Sequence, residues 1–158
     1  MTRLRETIEN KTARHAGADR PGRPDPDTYV RQALTYIPTL LELLDRNRFS
    51  PTYGSFDRQY WQYRTADFPC GMSQEFGLPL ALVYRFPFPG NAYRGLERMR
   101  ELAVAAIDFA VRSSHRDGTC DDYFPYERAM GAMVFSMYAC MESYRLLDLD
   151  EPRFLYLF

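Results

Sequence analysis

The residues best suited to chemistry lie in one short segment, residues 117–128, which is rich in carboxylates and tyrosines. Its carboxylates are Asp117, Asp121, Asp122 and Glu127. Glycoside hydrolysis needs two carboxylates that flank a bond, one protonated and one ionised, and carboxylate oxygens also bind calcium. The spacing matches no EF-hand, and a polar loop whose aspartates cap turns explains the same composition without a ligand. The residues alone leave these interpretations open.

Two tyrosines in this segment, Tyr123 and Tyr126, are candidate proton-transfer groups. A nearby arginine such as Arg128 can lower the pKa of a tyrosine and prepare it for that role. A second cluster, Arg58, Tyr60 and Trp61, combines rings with a cation. Aromatic faces bind sugar rings, and guanidinium forks bind carboxylates. The alternative is that these rings only fill the gap between helices.

Apolar residues spaced three or four apart predict the elements that position these groups. Helices are predicted at 27–47 with Asp27 as the N-cap and Pro38 inside, at 56–64, at 73–84 with Ser73 as the cap, and at 92–114. A last helix follows Pro125, and its apolar stripe is expected to face the core. That stripe comprises Met130, Met133, Val134, Met137, Met141 and Tyr144.

No alternating run rich in Val, Ile and Thr is present, so essentially no sheet is predicted. The fold class is therefore all-α, built from helical hairpins with long connections. Long connections favour a partial α/α toroid-like array over a tight four-helix bundle. Residues 1–27 contain a run rich in Gly and Pro and are predicted to be a flexible polar arm. Residues 28–158 are predicted to form a single domain.

Composition narrows the classes of function. The net charge is −1, so no nucleic-acid partner is expected. No apolar run approaches the ~20 residues that span a bilayer, and no secretory signal is present, so we predict a cytoplasmic protein without membrane contact. Three scattered cysteines and two histidines offer no disulfide framework and no zinc site. We predict neither a metal nor a cofactor.

Three patches of sequence carry a resemblance to a known family. They are residues 55–61 (SFDRQYW) with 67–69 (DFP), residues 80–84 (LALVY), and Asp117-Gly118 with residues 123–128 (YFPYER). Over residues 29–147 the chain resembles the helical region of heparinase II/III-like proteins, which are relatives of polysaccharide lyases.

The resemblance implies an α/α toroid whose loops form a cleft for an acidic polysaccharide. It also implies β-elimination at a uronic acid, with a tyrosine and a histidine moving the proton. No Asn-Asn-His segment is present, so whether the chain is an enzyme stays open. The catalytic candidates are Tyr123, Tyr126 and Glu127. The substrate-binding candidates are Arg58, Tyr60, Trp61, Asp121, Asp122 and Arg128.

The alternative is a non-catalytic helical interaction module, either a homo-oligomer or one part of a larger helical ring. The methionine-rich stripe of the last helix and the apolar segment 154–158 (FLYLF) support it. Methionine surfaces adapt readily to partners. An interaction module is expected to associate with increasing concentration, whereas a self-contained sugar-binding domain is expected to stay monomeric.

Overall fold

The computed structural model describes residues 25–56, 70–152 and 154. In this part of the chain the secondary structure is helical, and the two β-bridges are isolated pairs. The all-α prediction is therefore confirmed. The helices are α1 (Pro26–Leu43), α2 (Gly77–Arg85), α3 (Glu97–Ser113) and α4 (Met130–Leu146), with a 3-10 helix at Met72–Phe76 that leads into α2.

Helix α1 begins two residues earlier than the sequence predicted. The Asp25 side chain accepts a hydrogen bond from the Asp27 backbone N–H at 3.3 Å, so Asp25 rather than Asp27 is the N-cap. Pro26 occupies the first turn, where a proline loses no intrahelical hydrogen bond. Pro38 lies inside the helix, and α1 continues through it to Leu43.

The first half of α1 is largely exposed, and its later turns reach the core through Ile37 and Leu43. Between α1 and the segment around α2 lies an apolar groove of about 520 Å³. Its walls include Leu34 and Leu40 of α1 and Phe76 from the end of the 3-10 helix. Helix α1 therefore covers the core only with its C-terminal half.

The third predicted helix is two elements rather than one. Ser73 was expected to cap it, but the Ser73 hydroxyl donates to the Cys70 thiol at 3.1 Å, inside the 3-10 helix. Helix α2 then starts at Gly77 and buries Leu80, Ala81 and Val83. Pro79 is tolerated because it lies in the first turn of α2, where backbone N–H groups have no intrahelical acceptor.

Helix α3 forms the centre of the core. Its predicted buried face is confirmed at Met99, Ala103, Ile107 and Ala110, although the helix begins at Glu97 rather than near residue 92. Several small alanines on this face allow neighbouring backbone to approach closely. One such approach is made by Gly54, whose added Cβ would overlap the backbone carbonyl of Ala105.

The prediction for the face of α4 is wrong in an informative way. The helix buries its small side, which consists mainly of Ala132, Met133, Ser136, Ala139, Cys140 and Ser143. The Ser136 hydroxyl donates to the backbone carbonyl of Gly71, and the Ser143 hydroxyl donates to the Ala139 carbonyl at 2.7 Å. Of the stripe that was predicted to face the core only Met133 is buried, whereas Met130, Val134 and Met141 are exposed.

The chain after α4 folds back onto the domain. Phe154 is buried beside Ile107, Ala110 and Cys140, and its ring meets the Tyr144 ring edge-on at 6.3 Å between centroids. Phe154 was predicted to belong to an apolar docking segment, but it packs within its own chain. Residues 155–158 of that segment lie outside the described residues. No helix in the described part is long and apolar enough to span a bilayer.

Candidate functional site

The loop between α3 and α4, residues 114–129, contains most of the residues that the sequence singled out. Its two sides are pinned together where the Ala129 N–H donates to the Cys120 carbonyl at 2.7 Å. The Gly71 N–H donates to the Asp121 carbonyl at 2.7 Å and ties the loop to the start of the 3-10 helix. Backbone hydrogen bonds therefore hold the loop in two places.

Asp121 is the central polar group of this loop. One oxygen lies 2.7 Å from His115 Nε2, and the other accepts the Tyr126 backbone N–H at 2.9 Å. The oxygen beside His115, Oδ1, also accepts the Arg128 backbone N–H at 3.5 Å, and the Asp121 side chain is only 12 % exposed. Desolvation raises the pKa of Asp121, but the hydrogen bonds from His115, Tyr126 and Arg128 outweigh it and hold the pKa below its usual value.

Glu127 shapes the same loop from the other side. A single oxygen, Oε2, accepts the backbone N–H groups of Asp122, Tyr123 and Phe124 at 3.1, 2.8 and 3.4 Å. The bond from Tyr123 is the main reason that the pKa of Glu127 lies below its usual value. Because three backbone N–H groups of the loop donate to this one carboxylate, Glu127 stabilises the turn that they form.

Asp117 closes the N-terminal part of the loop. It accepts the Thr119 hydroxyl at 2.6 Å and the Thr119 backbone N–H at 3.1 Å, and both bonds lower the pKa of Asp117. Its other oxygen pairs with Arg128 Nη1 at 2.8 Å. This ion pair joins the two ends of the segment that the sequence predicted to carry the site.

These contacts hold the backbone in an unusual conformation. Tyr126 and Arg128 have φ values of 64° and 55°, in the left-handed region that favours glycine. Each such residue costs about 1–2 kcal/mol. The N–H groups of both residues donate to Asp121, so that carboxylate stabilises the strained turn. Strain of this kind is typical of segments that present side chains to a ligand.

The strained turn presents aromatic rings to solvent. Tyr126 is 86 % exposed, and the neighbouring Tyr123 and Phe124 are each more than half exposed. The carboxylates thus point into the loop, while the rings and the Arg128 guanidinium point outward. Sequence reasoning missed Phe124, although its position between two candidate tyrosines was a usable signal. It also missed that His115 reaches Asp121, six residues further along the chain.

Asp122 lies beneath the loop rather than on its surface. It is buried, and it accepts the Cys70 thiol at 3.0 Å. Burial raises the pKa of Cys70, and burial together with the charge of Asp122 raises the pKa of Cys120 to about 12. Both thiols are therefore protonated at neutral pH and are poor nucleophiles.

The structure brings together six of the nine predicted site residues: Asp121, Asp122, Tyr123, Tyr126, Glu127 and Arg128. Arg58, Tyr60 and Trp61 lie outside the described residues, so their relation to this loop stays a prediction. The described residues contain no group of three or more His, Cys, Asp or Glu arranged to hold a metal ion.

The arrangement favours some kinds of chemistry over others. A glycosidase needs a carboxylic acid that stays protonated near neutral pH, whereas Asp117, Asp121 and Glu127 all have lowered pKa values. The exposed rings with Arg128 suit binding of a sugar.

Comparisons with protein-family models, with curated proteins and with solved structures gave no match.

The geometry of Glu127 leads to a prediction about acid stability. Glu127→Gln replaces a charged acceptor of three N–H groups by a neutral one, and we expect a loss of about 1 kcal/mol of unfolding free energy at pH 7. Because the folded pKa lies below the ordinary 4.5, this contribution is complete above pH 4.5 and is lost as the pH falls through the folded pKa.

Urea unfolding at neutral and acidic pH measures this effect. The wild-type chain is expected to lose its advantage over Glu127→Gln on acidification. Glu42→Gln, at an exposed position on α1, is the control and is expected to track the wild type throughout. Equal stability of the Glu127 and Glu42 variants at neutral pH would contradict the structural role given to Glu127.

Proposed function

We propose that this chain recognises an acidic carbohydrate through the loop 114–129, as part of a helical domain related to polysaccharide lyases. The observation that carries the proposal is the presentation of Tyr123, Phe124 and Tyr126 by a strained and internally bonded loop. A rigid aromatic surface binds sugar rings at a low entropic cost, because few torsions have to be fixed on binding. Loop residues on a rigid helical scaffold commonly have binding roles.

The charge of the proposed ligand follows from Arg128. Its side chain is 66 % exposed, and the ion pair with Asp117 engages only Nη1. A guanidinium has five N–H donors in a planar fork, which matches the two oxygens of a carboxylate. A uronic acid would therefore stack one ring face on Tyr126 or Phe124 and direct its carboxylate to Arg128.

The lyase form of the proposal assigns proton transfer to a tyrosine. In β-elimination a base removes the proton beside the uronate carboxylate, and the electron pair of that C–H bond forms a ring double bond. The C–O bond to the leaving sugar breaks, and the leaving oxygen takes up a proton. Tyr126 and Tyr123 are the candidate proton-transfer groups, and Arg128 would neutralise the carboxylate. Glu127, first predicted as catalytic, would instead hold the loop in shape, and Asp121 would orient His115.

A panel of acidic and neutral oligosaccharides tests the proposal through thermal stabilisation of the purified chain. A ligand that binds only the folded state raises the apparent stability. Uronic-acid oligomers are expected to stabilise the chain, whereas neutral oligomers of equal length are expected to do so less. The appearance of absorbance from an unsaturated uronate would extend the result from binding to lyase activity.

The Arg128→Gln variant tests the role of charge. We expect about a tenfold weaker affinity for the uronic-acid oligomer, equivalent to one charge-assisted hydrogen bond, and little change for a neutral one. Arg31→Gln, at an exposed arginine of α1, is the matched control. Equal losses in both variants, or none in either, would argue against recognition of the carboxylate by Arg128.

A further inference from the structure

The exposed side of α4 is a continuous apolar face that begins at Met130, directly after the candidate sugar loop. Five large side chains share it and are between 40 % and 65 % exposed: Met130, Val134, Phe135, Tyr138 and Met141. Residues three, four or seven apart lie on the same side of a helix, so these side chains adjoin one another. A contiguous patch of this kind on a folded chain marks an interaction surface.

The apolar face supplies a large part of the area that one half of a stable interface needs. Taking about 200 Å² for a fully exposed aromatic side chain, Phe135 and Tyr138 present about 250 Å² between them, and the two methionines and Val134 add to that area. A stable pair of proteins buries about 800 Å² on each partner. Gly131 and Arg145 lie on the same side of α4 and are exposed, so they extend the face toward that size.

Charge also suits the pairing of this face with itself. Residues 130–141 include no charged residue, and the two charged residues of α4, Glu142 and Arg145, form an ion pair at 2.7 Å near its C-terminal end. At the opposite end the N-cap residue Ala129 makes no side-chain capping hydrogen bond. A helix N-terminus favours a nearby carboxylate because of the helix dipole.

We propose that a second copy of this chain covers the face, with the two α4 helices antiparallel about a two-fold axis level with Ser136, which adjoins Phe135. Glu142 lies about 9 Å along the helix from that level, and Met130, the first residue of α4, lies about 9 Å away in the other direction. The antiparallel arrangement places each Glu142 beside the uncapped N-terminus of the other helix. It also places Met141 of one copy opposite Gly131 of the other, where an added Cβ would meet no atom within 4 Å.

Sedimentation velocity and light scattering of the purified full chain, across a wide range of concentration, test the proposal. The wild-type chain is expected to dimerise. Phe135→Glu places a charge beside the two-fold axis and is expected to raise the dimer Kd about 100-fold or more. Gly131→Leu fills the space that Met141 of the other copy would occupy, and it is expected to raise the dimer Kd about tenfold.

Both substitutions are at exposed positions, so the folded monomer should persist, and circular dichroism checks its helicity. Phe49→Glu changes a fully exposed phenylalanine elsewhere and is expected to leave the Kd unchanged. A chain that stays monomeric throughout would overturn the proposal. If apolar-dye binding to that monomer still fell in Phe135→Glu, the face would belong to a different partner. A dimer unaffected by both α4 variants would also overturn the proposal.

Discussion

Gly54→Ala is expected to destabilise the chain by about 3 kcal/mol or more, adding the overlap of an enlarged side chain to the strain of a positive φ. Gly54 has a φ of +91°, and its backbone lies directly against α3. An added Cβ would overlap the carbonyl oxygen of Ala105 and approach the N of Ala106 to 3.1 Å. Both are helix backbone atoms, so neither can move away without disturbing α3.

The matched control is Gly95→Ala. Gly95 has a φ of +68°, but an added Cβ there would meet no atom within 4 Å, so this change costs only the strain, about 1 kcal/mol. Urea unfolding of both variants gives the two losses of unfolding free energy. Their difference is the part caused by the overlap with α3, because both positions have a positive φ. Equal losses at the two positions would show that Gly54 does not lie against the backbone of α3 as described.

Tyr126→Gly is expected to make the chain more stable while weakening carbohydrate binding. Glycine adopts the observed φ of 64° without strain, which stabilises the folded state by up to about 1 kcal/mol. The same change removes a ring that is 86 % exposed and forms part of the proposed sugar surface. Losing one stacked ring is expected to lower affinity about 10- to 100-fold.

Asp148→Gly is the matched control, because Asp148 also has a positive φ, 49°, but follows α4 instead of lying in the loop. It is expected to gain some stability, reduced by the loss of a surface ion pair with Arg85. Its affinity for the oligosaccharide is expected to be unchanged. A Tyr126→Gly chain that binds as tightly as the wild type would remove Tyr126 from the site.

The helices were predictable because their signal is local. The spacing of apolar residues three or four apart identified α3 and its buried face, which includes Met99, Ala103 and Ile107. The same periodicity could not tell which side of α4 is buried, since it only groups residues on a common face. Close packing selected the small side of α4, where Ser136 and Ser143 satisfy their hydroxyls on backbone carbonyls. No hydropathy pattern contains that information.

The location of the candidate site was predictable, but the roles of its residues were not. The sequence shows that carboxylates and tyrosines are concentrated in one segment, which was predicted to be a loop. That Asp121 and Glu127 turn inward depends on left-handed backbone at Tyr126 and Arg128, two residue types that rarely adopt it. The contact of His115 with Asp121 also requires the loop to close on itself, which residue spacing does not determine.

The most direct measurement is an NMR titration of the assigned chain with a uronic-acid oligomer, following backbone amide shifts. Saturable shifts are expected to concentrate in residues 121–128, with a smaller response at His115 through Asp121. Arg128→Gln is expected to weaken the response without moving it to another region. Shifts confined to the exposed face of α4 or to the groove beside α1, or no shifts in a folded sample, would contradict carbohydrate recognition by this loop.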